Sequence, residues 1–133
     1  MRDKETLTFY MKIAVDFDGT VVAHRYPSIG KDIGAVPVLK ELTEKGHKLI
    51  LNTMRCKNEL EAAKEWFKEN GVPLYSANHC PGQHTWTSSP KVFADLYIDD
   101  MSLGCPLMED PEEPKPYVDW TEVRRLLQEG GVL

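Results

Sequence analysis

The fold of this chain is decided by one stretch of sequence, Ile13-Ala14-Val15-Asp16-Phe17-Asp18-Gly19-Thr20-Val21-Val22. A short apolar run ends in two aspartates that stand one residue apart, and a Gly-Thr pair follows them. Such a run, bounded by turn residues, is typical of a buried strand in a parallel sheet. Ligands of open α/β sheets bind beyond the carboxyl ends of the strands, so we expect the two aspartates to lie where the sheet binds its ligand.

Alternation along a strand predicts that Asp16 and Asp18 point to the same side. Two carboxylates held this close repel each other unless a cation or a proton lies between them. Ligands that are all oxygen atoms favour a hard cation such as Mg²⁺. A carboxylate can also attack phosphorus and carry the phosphoryl group as an aspartyl-phosphate.

Length and composition predict one globular domain, residues 1–133, in which residues 1–11 form an N-terminal extension or an edge strand. The formal net charge of −5 argues against a nucleic-acid-binding surface. No apolar run approaches the ~20 residues of a membrane span. The first residues lack an apolar signal region, and the three cysteines form no CxxC pair, so we expect a cytoplasmic protein with reduced thiols.

Helical and strand patterns alternate along the chain. Helices are predicted from Ala35 to Lys45, from Glu59 to Glu69 with Asn58 as its cap, and from Asp119 onward with Glu122 at the capping-box position. Strands are predicted at Lys48–Thr53, Leu74–Ala77 and Leu96–Ile98, a short helix carrying Lys91 is predicted after Ser89-Pro90, and residues 101–116 are predicted to be irregular. This order predicts an α/β fold, a Rossmann-like three-layer sandwich with a mainly parallel sheet.

Three of the predicted strands end in polar residues: Asp16 and Asp18, Thr53, and the pair Asp99-Asp100. With Lys91 just before the last strand, this order resembles the four motifs of the haloacid dehalogenase superfamily, whose members are mostly Mg²⁺-dependent phosphohydrolases. The resemblance covers residues 12–100. The gaps after Asp18 and before Lys91 are too short for a cap domain, so it is to small capless members, a gut-bacterial group of hydrolase-like proteins among them.

The resemblance implies roles for the acidic residues. Asp16 would be the nucleophile, and Asp18 would protonate the leaving oxygen, activate water and give its backbone carbonyl to Mg²⁺. Asp16, Asp18, Asp99 and Asp100 would form the metal site, with Asp100 as a direct ligand and Asp99 bound through water or paired with Lys91.

The resemblance also implies a phosphate-binding set. Thr53 would donate a hydrogen bond to a phosphoryl oxygen, with the amides of Gly19 and Met54 nearby. Lys91 would neutralise the charge on the nucleophile and the phosphate.

Further residues are candidates for the rim of the site. Arg55 suits a second anionic group of a substrate, and Asn78 lies beside it on the same predicted rim. The stretch His24–Ile29 and the loop of residues 78–90 are candidates for closing the open site, and a partner subunit in a homodimer would do the same. His79, Cys80 and His84 match no zinc signature.

The expected function is therefore that of a Mg²⁺-dependent phosphatase that acts on a small phosphorylated molecule through an aspartyl-phosphate. One alternative is a nucleotidase or a nucleic-acid-end phosphatase, in which Arg55 and Trp86 grip a nucleotide. The other is a binding or regulatory module that keeps the fold without turnover.

Overall fold

The structure is a computed structural model that describes residues 9–133, so residues 1–8 of the predicted N-terminal extension lie outside the described part. The sheet strands are β1 (Lys12–Val15), β2 (Lys48–Leu51), β3 (Ser76–Ala77) and β4 (Leu96–Ile98), and the helices are α1 (Ala35–Glu44), α2 (Lys57–Glu69) and α3 (Trp120–Glu129). A small hairpin of β5 (Leu107–Met108) and β6 (Tyr117–Val118) precedes α3. None of the helices among residues 9–133 has the length and apolar character needed to cross a membrane.

The four sheet strands are all parallel and lie in the order β3-β2-β1-β4. Val15, the last residue of β1, is in register with Leu51 of β2 and with Ile98 of β4. The residues that follow these three strands are therefore brought to one edge of the sheet. The predicted α/β fold with a parallel sheet and no cap domain is confirmed for the described residues.

One face of the sheet carries the main core. Alternate strand residues such as Ile13 and Leu49 join a buried cluster with the apolar stripes of all three helices, including Leu39 of α1, Phe67 of α2 and Leu127 of α3. The stripes follow from the spacing of apolar residues along each helix. The same period that predicts the helices therefore also predicts what they bury.

The other face of the sheet is covered differently. Ala14 and Ile50 are buried but lie outside the main cluster, as alternation along a strand requires. Ala14 lines a pocket with Lys91, which belongs to the segment of residues 78–95 between β3 and β4. Within the described chain this third layer is a loop with one short 3₁₀ turn, Gln83–Thr85.

The helix ends test two capping predictions. Asp119 caps α3 as predicted, because its Oδ1 accepts hydrogen bonds from the amides of Thr121 and Glu122 at 3.1 and 3.2 Å. The prediction that Asn58 caps α2 was wrong. The helix begins at Lys57, and Cys56 precedes it without a side-chain cap, so Asn58 lies inside the first turn.

The predicted short helix that carries Lys91 is absent. The side chain of Gln83 holds this segment instead. Its Nε2 donates to the carbonyls of Ser89 and Lys91 at 3.3 and 2.7 Å, and its Oε1 accepts from the Phe93 amide at 2.9 Å. These bonds engage backbone groups that a helix over the same residues would need for itself.

The proline-rich stretch of residues 101–116, predicted to be irregular, contains β5, which pairs with β6 directly after it, and the stretch braces the loop of residues 24–31. Lys31 Nζ lies 2.8 Å from Asp110 Oδ2, and Arg25 Nε donates to Glu113 Oε1 at 3.1 Å. Lys31, the Glu112 amide and the Tyr117 hydroxyl together lower the pKa of Asp110 to about 2. We call residues 24–30 the flap, since this loop lies between the sheet edge and the hairpin.

Candidate active site

Three carboxylates meet at the carboxyl edge of the sheet. One oxygen each of Asp16, Asp99 and Asp100 lies within 4.8 Å of the others, and no other such cluster occurs among the residues that the structure describes. The pairing of β1 with β4 brings them together, and the Asp16 amide continues the ladder by donating to the Ile98 carbonyl at 3.0 Å. Three carboxylates around one point suit a hard divalent cation.

Burial and like charge act together on Asp16. They raise the pKa of its carboxyl from 3.8 to about 7, with burial as the largest cause and the charge of Asp99 next. Hydrogen bonds from the Phe17 amide and the Thr20 hydroxyl oppose this rise. A cation among the three carboxylates would remove the repulsion, so the site is arranged to gain from one.

Thr20 links the two acidic motifs, a role that the sequence reasoning missed. Its Oγ1 lies 3.0 Å from Asp16 Oδ2 and 3.3 Å from Asp100 Oδ1, and it accepts a hydrogen bond from the Asp100 amide at 3.0 Å. Thr20 is fully buried, and its carbonyl accepts a 2.6 Å hydrogen bond from Trp120 Nε1. The available signal was a hydroxyl residue directly after the Asp-x-Asp-Gly turn.

The backbone of Gly19 packs closely against the side chain of His24, a residue of the flap. His24 Nε2 is 3.1 Å from Asp100 Oδ2. Gly19 has φ 85, and a Cβ at this position would collide with His24 Nε2 and Asp100 Oδ2. The Gly19 amide, predicted to face a phosphoryl oxygen, instead donates to the Val22 carbonyl at 2.7 Å.

The side chain of Asp18 does not join the acidic cluster. Its Oδ2 accepts from Arg55 Nε and its Oδ1 from Arg55 Nη2, both at 2.8 Å. The guanidinium carbon lies 5.1 Å from the ring centroids of both Phe17 and Tyr26. The structure therefore brings together the side chains of three of the four predicted metal-site residues. It pairs the fourth, Asp18, with the guanidinium of Arg55.

Arg55 does not lie on an open rim, where a substrate-binding role was predicted. It is 2% exposed. Besides Asp18, it donates to the carbonyls of Pro27, Ser28 and Glu59 at 3.2, 2.7 and 3.4 Å. All five N–H donors of the guanidinium have partners inside the protein, so none is left for a substrate.

Thr53, after β2, and Asn78, after β3, are joined by a hydrogen bond. Asn78 Oδ1 accepts from the Thr53 amide at 2.8 Å, and Asn78 Nδ2 lies 3.5 Å from the Arg55 carbonyl. Asn78, predicted to bind substrate, thus braces the turn that carries Thr53. Thr53 Oγ1 accepts from the Arg55 amide at 3.1 Å, which keeps its hydroxyl hydrogen for an outside acceptor. Met54 between them is exposed.

Lys91 is exposed at an open pocket of about 270 Å³ that Asp99 and Asn52 also line. Its Nζ lies 5.6 Å from the centroid of the Tyr97 ring. The pocket opens beside the acidic cluster because Asp99 belongs to both. Of the predicted pairing between Lys91 and Asp99, the structure shows that both side chains line the same pocket.

A second pocket of about 340 Å³ lies in the loop after β3. Its lining includes the polar side chains of Asn78, His79, His84 and Ser89. It adjoins the site through Asn78, which braces the Thr53 turn, and through Pro90, which precedes Lys91. The predicted loop of residues 78–90 therefore supplies a pocket that Asn78 links to the Thr53 turn.

The fold and the site define a small capless α/β protein with an acidic cluster at the carboxyl edge of a parallel sheet. A conserved protein encoded by a locus of Bacteroides thetaiotaomicron has a solved structure that is similar to this one. It is 39% identical, the match covers 92% of this chain and 93% of that chain, and the TM-score is 0.75. This chain belongs to the family of that conserved bacterial protein. No protein-family model matches the chain, and the comparison with curated proteins gives no match.

Proposed function

We propose that this protein is a divalent-cation-dependent phosphatase that transfers the phosphoryl group of a small phosphomonoester to Asp16 and then to water. The observation that carries the proposal is the convergence of Asp16, Asp99 and Asp100, whose oxygens lie within 4.8 Å of one another. Asp16 follows β1, whereas Asp99 and Asp100 follow β4, so the fold brings distant parts of the sequence to a single point.

The donor set fits Mg²⁺, since the cluster offers carboxylate oxygens and no sulfur or imidazole. Asp16, Asp99 and Asp100 would hold the ion. When bound, Mg²⁺ supplies positive charge that offsets the charge of the carboxylates and of the phosphoryl oxygens.

The two oxygens of Asp16 have different environments. Oδ2 lies within hydrogen-bond distance of the Thr20 hydroxyl, which leaves Oδ1 without that bond and suited to in-line attack on phosphorus. Attack forms the Asp16 O–P bond as the bond from phosphorus to the leaving oxygen breaks. A proton is then needed on the leaving oxygen, and Asp18 is the nearest acid along the chain that the cluster does not include.

Water then cleaves the Asp16 acylphosphate, releases inorganic phosphate and returns the Asp16 carboxylate, with Asp18 taking the proton from the water. In either step, Asp18 would act through the lone pairs that its two hydrogen bonds to Arg55 leave free. Thr53, through its unused hydroxyl hydrogen, and Lys91, through its ammonium group, would hold the phosphoryl oxygens.

The polar side chains in the pocket beside Asn78 favour a substrate whose leaving group carries hydroxyl or amide groups. A nucleotide is the second candidate, because Trp86 is 65% exposed on the same loop and offers a face for a base. Comparison of mononucleotides with sugar and polyol phosphates separates these two substrate classes.

Phosphate release with and without Mg²⁺ tests the proposal, first on an activated aryl phosphate and then on a panel of phosphomonoesters. Wild type is expected to release phosphate only with the cation, and Asp16→Asn should lower turnover by at least about 10³-fold. Glu61→Gln is the matched control, because Glu61 is an exposed carboxylate on α2, outside the acidic cluster, that pairs with Lys64. Cation binding without turnover on any substrate would instead support a binding or regulatory module.

A further inference from the structure

Asp18 stands two residues from Asp16, yet its carboxylate is kept out of the acidic cluster. Both of its oxygens accept hydrogen bonds from Arg55 at 2.8 Å. We propose that Arg55 is a positioning residue that withholds the Asp18 carboxylate from the cation and reserves it for the leaving oxygen. The catalytic half of this inference rests on the proposed phosphatase function, whereas the cation-binding half is measured without turnover.

Arg55 is suited to this task because it is immobilised. Its side chain is 1% exposed, and that of Asp18 is 19% exposed. The other guanidinium donors are taken by the carbonyls of Pro27 and Ser28 in the flap and of Glu59 in α2. A planar fork fixed at this many points presents two parallel N–H groups in one orientation, which suits a single carboxylate.

Withholding Asp18 matters because a carboxylate that coordinates a divalent cation cannot also carry a proton to a leaving group. A fourth carboxylate in the cluster would bind the cation more tightly and remove the acid from the reaction. Asp18 lies two residues after Asp16, so its side chain is the next carboxylate along the chain that could turn into the cluster. In this structure, the contact that opposes this move is the paired hydrogen bond to Arg55.

The test measures Mn²⁺ affinity by electron paramagnetic resonance, since Mn²⁺ shares the oxygen preference of Mg²⁺. Arg55→Lys keeps the charge but cannot hold two carboxylate oxygens and three carbonyls at once. We expect it to bind Mn²⁺ roughly 3- to 30-fold more tightly than wild type, because a freed negative charge acts on a divalent ion at short range. The double variant Arg55→Lys/Asp18→Asn should lose this gain.

Arg124→Lys is the matched control. Arg124 makes the same paired contact with Glu41, at 2.7 Å for both hydrogen bonds, between α3 and α1 and outside the site. It should leave Mn²⁺ affinity unchanged. Turnover should fall in Arg55→Lys and not in the control. The fall should be larger on alkyl phosphates than on an activated aryl phosphate, because the leaving oxygen of the aryl ester needs less protonation.

A second measurement does not depend on how well the Arg55 variant folds. Asp18→Asn alone should weaken Mn²⁺ binding by no more than about 3-fold, whereas Asp100→Asn should weaken it by at least about 30-fold. Loss of binding in Asp18→Asn, or equal or weaker binding in folded Arg55→Lys, overturns the inference. Wild type that binds Mn²⁺ with this pattern but releases no phosphate overturns the proposed function alone.

Discussion

Replacing the nucleophile candidate should stabilise the protein when no cation is present. In Asp16→Asn the amide keeps the size of the carboxyl, and its oxygen can still accept from Thr20. The folded-state pKa of Asp16 is about 7, against the usual 3.8. The unfolded chain therefore loses this proton at lower pH than the folded chain, and the free energy of unfolding decreases as pH rises from about 4 through about 7.

Three pKa units correspond to at most roughly 4 kcal/mol at pH 8. Solvent screening around a partly exposed site reduces this, so we expect Asp16→Asn to gain about 1–3 kcal/mol at pH 8 in EDTA. For a domain of this size that is roughly 3–9 °C in the melting temperature. At pH 5 only the unfolded chain has lost this proton, so roughly 1.2 of the 3.2 pKa units still act and the gain should fall to about two fifths of its value at pH 8; it vanishes only below about pH 4.

Urea unfolding at pH 5 and pH 8, in EDTA and in Mg²⁺, measures this. Mg²⁺ at a hundredfold excess over its dissociation constant should stabilise wild type by about 2.7 kcal/mol. It should stabilise Asp16→Asn much less, because one ligand is lost. An Asp16→Asn variant that is no more stable than wild type at pH 8 in EDTA, or that gains as much at pH 5, would refute the reasoning from burial and repulsion.

Three further changes probe single contacts of the site. Thr20→Val leaves the buried Asp100 amide without its acceptor and should cost about 1–3 kcal/mol in urea unfolding, with Thr20→Ser restoring most of it. Gly19→Ala should lower both stability and Mn²⁺ affinity, since its Cβ collides with His24 and Asp100 at a positive φ, and a wild-type-like melting temperature would contradict this. Lys91→Met should reduce kcat by at least about 10-fold, because the ammonium group that would neutralise the phosphate is lost. It should not change the melting temperature, because Lys91 is exposed and lies outside the core. Steady-state kinetics and thermal melting measure the two effects separately.

The sequence predicts those parts of the fold in which apolar residues form a local pattern along a helix or a strand. The stripe of α1 and the apolar runs of β1 and β2 are local patterns, and their order determines which strand ends share an edge. The meeting of Asp16 with Asp99 and Asp100 follows from that edge, and so it was predictable from strand ends alone. Asn78 was predicted to bind substrate, and the structure shows its amide bracing the Thr53 turn.

The parts that sequence misses depend on which way one side chain turns. An arginine after a strand reads as exposed, and nothing local indicates that Arg55 lies inside against Asp18 and two flap carbonyls. Gln83 likewise reads as a surface residue, yet three of its hydrogen bonds determine that residues 89–93 are not helical. Such contacts span long sequence separations or pair side chain with backbone, so no periodicity reports them.

The charges of the site are arranged unequally, and the inequality separates two tasks. Asp16, Asp99 and Asp100 are left to repel one another, which costs stability and would be relieved by the proposed cation. Asp18, only two residues from Asp16, is instead paired with the buried guanidinium of Arg55. If all four carboxylates served only to hold a cation, a buried arginine beside one of them would oppose that purpose. The pairing is understandable when one of the four has work that a coordinated carboxylate cannot perform.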